Sequence, residues 1–264
     1  MYELELVRRR KRRIRAAIIG GVGSIGVATF CIAAFLGHRV GSFTVSLEAK
    51  NAQLTLSEKS DFKNRTSFLR VGDVPGFQEF TYAKFRNYGD AVIDGEEYDY
   101  KTGIRVNKKG KEHTDFLKYT FYIKNIGEDP ATYDFSLQIL DVVATEQEQS
   151  LEDSFRVMVY VDGVPTVYAK RLQVPHIENG EPDYRAPVSV NKGDASIDFP
   201  FEGYAEMFNS SQEVMSEKQR NLESGEYRKY TIVTWLEGFQ SSGDAEALEG
   251  ASIKLGVKIN AYEN

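Results

Sequence analysis

From residue 42 onward, apolar residues fall on alternate positions over runs of five to ten residues bounded by Gly, Asn, Asp or Pro, the period of strands with one buried face. In FLKYTFYIKN, Leu117, Tyr119, Phe121 and Ile123 point one way, while Lys118, Thr120, Tyr122 and Lys124 point the other. One core face and one water face are therefore expected. IGEDP turns the chain, and Tyr133, Phe135, Leu137 and Ile139 share a face on the return, predicting a hairpin over Leu117–Ile139. A second hairpin is predicted from Phe155, Val157, Val159 and Val161, the turn pair Asp162-Gly163 and the return Thr166–Lys170. Further strands are expected over Phe43–Leu56 with a break near Asn51, Phe77–Phe85, Tyr227–Leu236 and Ile253–Tyr262, with shorter ones near Phe68 and Ser196–Phe201. Because a one-faced sheet must bury its apolar side on another layer, the expected fold is mainly β, an antiparallel β-sandwich.

One short helix interrupts the strand pattern. Ser210 with Glu213 has capping-box spacing, and QEVMSEKQRNLES runs from there to Gly225. Arg86–Thr114 and Pro175–Pro187 are polar and poorly patterned, the two expected long loops and candidate binding surfaces.

The pattern is different before residue 42. Ala16 to Gly37 is 22 consecutive uncharged residues, which as a helix would reach about 33 Å, enough to cross a bilayer core. Arg8, Arg9, Arg10, Lys11, Arg12, Arg13 and Arg15 precede it, and a basic flank stays on the cytoplasmic side. The expected organisation is a basic cytoplasmic segment (1–15), a transmembrane signal anchor (16–37) and an extracellular domain (42–264). A cleaved signal peptide is the rival reading, with Ala33 and Ala34 as small residues near the end, but the apolar run is long and no clean A-x-A site follows. Gly20, Ser24 and Ala28 recur every fourth residue, a face small enough for close helix–helix packing, although such residues are frequent in membrane helices anyway.

The same segment contains Gly21-Val22-Gly23-Ser24-Ile25-Gly26, a literal dinucleotide-binding spacing, with Glu48 22 residues after Gly26. The context is wrong: seven basic residues precede it, the stretch after it has no polar face, and no βαβ units follow. No cofactor is expected.

Charge separates the two parts further. Residues 1–40 carry eight basic and two acidic residues, and the remainder 25 basic and 37 acidic, within a chain of net charge −6. An acidic body repels a polyanion, so nucleic acid is excluded as a partner. The single cysteine, Cys31, falls in the apolar run, so the domain beyond it folds without disulfides. His113 and His176 stand on opposite sides of two predicted hairpins, no H-E-x-x-H or G-x-S-x-G occurs, and no catalytic residue is assigned. Asp90, Asp94, Glu96, Glu97 and Asp99 form the densest acidic group; calcium is the ion they would take, and a solvated loop is the plainer reading.

Four segments carry a family likeness: GSFTVSLEAKNAQLTLSE after the hydrophobic segment, FLKYTFYIKNIGEDPATYDFSLQI, NLESGEYRKYTIVTWLEG and SIKLGVKINAYEN, together 73 of the 264 residues. In their arrangement the chain resembles the TasA/camelysin-like surface β-sandwich proteins of Gram-positive bacteria. The resemblance implies a jelly-roll-like sandwich and a role in extracellular fibres or matrix, with chains joined by strand addition. The basic leader and the Arg86–Thr114 loop depart from that pattern, and no metalloprotease motif is present to receive the protease activity of camelysin-type members. The expectation is a non-enzymatic, membrane-anchored surface protein acting in assembly, adhesion or matrix contacts. Phe43–Leu47 or Ile253–Ile259 would be the pairing edges, unless both are paired internally. The alternatives are a ligand-binding or sensory ectodomain working with a membrane partner, and a hydrolase.

Overall fold

The computed structural model describes residues 30–33, 41–49, 53–74, 79–80, 82, 104–106, 112–114, 116–143, 151–188, 203–237 and 252–263. In chain order the strands are β1 (Phe30–Ala33), β2 (Gly41–Ala49), β3 (Leu54–Ser57), β4 (Phe68–Val74), β5 (Glu79–Phe80), β6 (Ile104–Val106), β7 (Glu112–Thr114), β8 (Phe116–Asn125) and β9 (Ala131–Val143). After the helical turn α1 (Leu151–Ser154) come β10 (Phe155–Val161), β11 (Val164–Ala169), β12 (His176–Glu178), β13 (Glu181–Asp183), β14 (Glu206–Met207), β15 (Glu213–Leu222), β16 (Tyr227–Glu237) and β17 (Ser252–Glu263). Sheet A runs β15-β9-β17-β2-β4, with β1 also on β17; sheet B runs β14-β11-β10-β16-β8-β3, with β5 also on β16. Pairing is antiparallel except where β17 meets β2, β11 meets β14 and β16 meets β5.

The sheets pack face to face as a sandwich, and aromatic rings join them. Phe135 of sheet A lies 4.4 Å from Tyr230 of sheet B with the rings 3° from parallel, and Phe121 stacks on both at 6.4 and 5.5 Å. Around this stack lie Leu117, Ile123, Leu137, Val157, Ile232, Leu255 and Val257, all buried. Tyr230 donates its hydroxyl to Glu217 Oε1 at 2.8 Å, so Tyr133, 2.9 Å away, donates in turn to Tyr230. Burial raises both tyrosine pKa values, which keeps this chain of hydroxyls protonated.

Where they are described the predicted strands form, Phe77–Phe85 only as Glu79–Phe80, but their partners differ. β8 and β9 are not a hairpin: β8 pairs with β16 and β3, β9 with β15 and β17, and the IGEDP connection crosses from sheet B to sheet A. Asn125 shapes this crossing, donating to Asp129 O and Leu222 O at 2.8 Å while its Oδ1 accepts the Gly127 N–H. The apolar faces of both strands therefore meet across the core. The second hairpin forms as expected: β10 and β11 join through Asp162 (φ 49°) and Gly163 (φ 86°), the two positive-φ residues of a tight turn.

The face of β8 expected in water is covered: Lys118, Thr120 and Tyr122 are buried, and Lys124 is half-buried. The reason is a second core on the outer side of sheet B. There Tyr82, Ala186, Val188 and Ala205 lie over Phe116, Met158, Val167, Val233 and Trp235. Polar residues on this face pair with one another, as Thr120 and Thr231 do at 2.9 Å.

The helix expected between Ser210 and Gly225 is a strand. Ser210 Oγ accepts the Gln212 N–H and its own N–H donates to Glu213 O, a turn that delivers residues 213–222 to the side of β9. Val214, Met215 and Leu222 are buried there and most of the rest is solvated, so an edge strand carries the polar content of a surface helix. β15 is also guarded against further pairing. Two register shifts interrupt its ladder, and Glu217, in register with the core residue Phe135, is an inward-pointing charge.

Phe43–Leu47 and Ile253–Ile259 are internal. β2 lies between β17 and β4, and β17 is flanked by β9 on one side and by β2 and β1 on the other. Within the expected anchor, Phe30–Ala33 pairs as β1 with β17, Phe30 opposite Leu255 and Ala33 opposite Ser252. The rest of 16–37, the basic residues 8–15, Gly20, Ser24, Ala28, Gly21–Gly26 and Ser196–Phe201 lie outside the described residues. Among the described residues no helix is long and apolar enough to cross a membrane.

Two measurements test this arrangement. Cys31 stands opposite Lys254, so Lys254→Cys is expected to form a disulfide under mild oxidation, seen as a reduction-sensitive gel shift; no bond would place Phe30–Ala33 elsewhere. Tyr230→Phe strips Tyr133 of its acceptor and Glu217 of its donor, and is expected to lower unfolding free energy by about 1–3 kcal/mol in urea titrations.

Candidate functional site

The region Pro175–Pro187, expected as a loop, contains a small hairpin. β12 and β13 are joined by Asn179 (φ 50°) and Gly180 (φ 86°), the two positive φ values that a two-residue turn requires. The register sets His176 opposite Asp183, Ile177 opposite Pro182 and Glu178 opposite Glu181. Directly opposed residues share a face, so His176, Asp183 and Glu178 gather on one side. Ile177 is exposed on the other, as is Val174 just before the hairpin.

Arg185 folds back over that polar face. Its backbone N–H donates to Asp183 Oδ1 at 2.8 Å; its Nε and Nη2 donate to Asp183 Oδ2 at 2.9 and 2.7 Å, and Nη2 also reaches Glu178 Oε2 at 3.1 Å. These side-chain and backbone donors hold the Asp183 carboxyl well below the usual carboxylate range, and Asp183 raises the Arg185 guanidinium in turn. The His176 ring lies parallel to Tyr204, centroids 4.6 Å apart and planes 8° apart, and its Nε2 is 3.5 Å from Asp183 Oδ2. That nitrogen is shielded from solvent and makes no hydrogen bond. The Arg185 guanidinium also lies 5.1 Å from the Tyr204 ring centroid.

Backbone hydrogen bonds and a buried arginine tie the scaffold beneath the hairpin to sheet B. Val188 N–H donates to Gly203 O and Ala205 N–H to Ala186 O, which docks the segment carrying Tyr204 beside the strap that follows Arg185. Leu172 N–H donates to Tyr184 O at the other end, where the Arg171 guanidinium sits 3.9 Å over the Tyr184 ring. Arg156, fully buried on β10, donates from Nη1 to Asp153 O and Phe155 O and from Nη2 to Pro187 O, tying α1 and the strap to sheet B. Burial lowers the Arg156 pKa to about 10, still charged at neutral pH, with Glu237 and Asp153 opposing the shift.

Of the two candidate histidines, His176 falls in this cluster. His113 lies on β7, in the hairpin with β6 that occupies the last part of Arg86–Thr114. Asp90, Asp94, Glu96, Glu97 and Asp99 lie outside the described residues. Glu178, Asp183, Arg185 and Tyr204 had no place in the sequence reading. The available signal was Asn179-Gly180, a hairpin turn that puts residues whose numbers sum to 359 opposite one another.

No family model and no curated protein matches the chain. Among solved structures, a β-glucosidase from Kluyveromyces marxianus is similar at 10% identity and a TM-score of 0.22, over 80% of this chain and 16% of the glucosidase. A likeness of that size carries neither the fold nor an activity to this chain.

The ionised Asp183 sets a pH dependence. A carboxyl whose pKa is lowered on folding stabilises the hairpin fully above its unfolded value of about 3.9 and loses that contribution as pH falls through the lower folded value. The Asp183 side-chain carboxyl carbon is therefore expected to show its own NMR titration only below about 4. In Arg185→Gln the transition should rise to the ordinary carboxylate range; an unchanged midpoint would mean that Arg185 does not hold Asp183.

Proposed function

We propose that this is a non-enzymatic, membrane-anchored bacterial surface protein, its N-terminus cytoplasmic and its jelly-roll-like sandwich outside the cell, acting in extracellular assembly, adhesion or matrix contacts. The observation that supports it best is the β4 end of sheet A. Among the described residues β4 pairs with β2 alone, whereas β15, at the other end, is guarded by its register shifts and by Glu217. Leu47 N–H donates to Ser67 O, so residues 67, 69 and 71 turn their backbone groups toward β2, and residues 68 and 70 turn theirs away. Thr66 Oγ1 occupies both groups of Phe68, accepting its N–H and donating to its carbonyl. The stretch from Arg70 onward is left to accept a strand from another chain.

Anchoring sets a condition. If Phe30–Ala33 stays on β17, the apolar residues 16–29 would reach about 21 Å as a helix, short of a bilayer core of about 30 Å. Membrane insertion of the whole run 16–37 and completion of sheet A by β1 therefore exclude one another, and the anchored form proposed is the one in which β17 keeps only β2 and β9. The second reading, a ligand-binding or sensory ectodomain, is favoured by the polar cluster on β12–β13, which Arg185 and Tyr204 hold together.

Arg70→Pro removes an outward N–H without touching the β2 ladder. Full-length protein in mild detergent is expected to associate as concentration rises, seen by light scattering, and the proline variant to associate at least about tenfold more weakly, which corresponds to about 1.4 kcal/mol. Equal association by both proteins, or a wild-type monomer throughout, would remove strand addition at β4.

A further inference from the structure

We infer that the strand β4 accepts is the β4 of a second copy of this chain, running antiparallel about a two-fold axis, and that the assembly closes at two molecules. The inference rests on the strand addition proposed above and names its partner and its limit. A filament grown by edge pairing needs two different edges on each molecule, whereas a two-fold pair uses one edge twice. The number of open edges therefore decides between them.

Among the described residues the sandwich has four sheet ends, β15 and β4 in sheet A and β14 and β3 in sheet B. Three of them are closed. β15 is interrupted by two register shifts and carries the inward-pointing Glu217. β3 is four residues long, and on its outer side the Leu56 N–H donates to Thr66 O at 2.8 Å while the Leu56 carbonyl accepts the Thr66 N–H at 3.0 Å. β14 is two residues long, and the chain turns away after it, with Phe208 N–H donating to Ala169 O and Asn209 N–H to Val214 O. When residues 16–37 are in the membrane, the side of β17 that β1 would cover is also open, but this notch spans only Ser252–Leu255 and ends where β2 joins β17 at Val45. It admits a loose segment and not the edge of a folded sheet. Two copies that join edge to edge are left with β4 on both sides.

An antiparallel pairing suits this use. Residues that face each other in it exchange both N–H···O bonds, so a strand edge is complementary to its own copy turned by 180°. Thr66 limits the register. Its hydroxyl holds both backbone groups of Phe68, which keeps that residue out of the ladder and moves the axis to residues 70–73. The register shift of β4 against β2 beyond Val71 keeps the ladder short. Five strands from each copy then run into one sheet whose outer ends are both β15, and the guarded β15 stops further growth.

The test is sedimentation velocity of full-length protein in mild detergent, with oxidative cross-linking of Arg70→Cys, Val71→Cys, Gly72→Cys and Asp73→Cys. Each is made in a Cys31→Ser background, so that any intermolecular disulfide joins a residue to its own copy. Opposed residues of an antiparallel pair have Cα atoms about 4.5–5.5 Å apart, within disulfide reach, whereas head-to-tail pairing brings no residue to its copy. Monomer and dimer with no larger species are expected, with a reduction-sensitive dimer at one or two adjacent positions of the four. Arg70→Pro should weaken the dimer at least about tenfold. Thermal unfolding checks that each variant folds, and the wild-type stoichiometry stands whichever variants fail. Species larger than a dimer that Arg70→Pro abolishes, with no cross-link in folded variants, would overturn the closed pair and leave strand addition at β4 in place. A dimer unchanged by Arg70→Pro and free of cross-links would be made elsewhere and overturn the inference, and a monomer at every concentration would remove strand addition as well.

Discussion

Phe135 and Tyr230 lie face to face from opposite sheets, and the rest of the molecule is arranged around that contact. Stacked sheets sit about 10 Å apart, a gap that two aromatic side chains fill without a void. With Phe121 against both rings, the centre of the sandwich becomes a column of planar groups, which restricts sliding of one sheet over the other more than aliphatic packing would. The hydroxyl chain from Tyr133 through Tyr230 to Glu217 then carries the polar ends of the column to the edge of sheet A, where solvent begins.

A second consequence follows for sheet B. Because its outer face is also covered, β8, β10 and β16 are buried on both sides, and that outer face carries Arg156, Lys118 and Glu237 in protein rather than in water. Buried charges have to be matched, and the Arg156 bonds to carbonyl oxygens of α1, β10 and the Pro187 strap do part of this. The same bonds hold down the segment from which the β12–β13 hairpin projects. The polar cluster on the hairpin is thus linked to the core through the strap.

The sequence made the strands legible and left their neighbours obscure, for a physical reason. Alternation at Leu117, Tyr119, Phe121 and Ile123 says which side of β8 is buried, but the same alternation in β9 suits a partner alongside and a partner across the core equally well. Short connections favour the hairpin as a first reading, and Asn125 instead spends its side chain on shaping a crossing between sheets. Polarity misled twice more. Lys118 and Thr120 read as solvated and are buried, and the charged run after Ser210 reads as a helix because an edge strand with one neighbour needs few apolar residues. Of the site, His176 and the Asn179-Gly180 turn were visible; Arg185 and Tyr204 arrive through tertiary folding, which no local period encodes.

The position of β17 bears on how the chain is made. It follows every other strand in sequence, yet it lies inside sheet A, between β9 on one side and β1 and β2 on the other. During synthesis β9 and β2 therefore emerge long before the strand that joins them, each with an open edge and an apolar face. Sheet B depends on no strand beyond β16 and can assemble first. Sheet A closes only when residues 252–263 have been made. A premature stop anywhere before Ser252 would leave half of the sandwich without its middle.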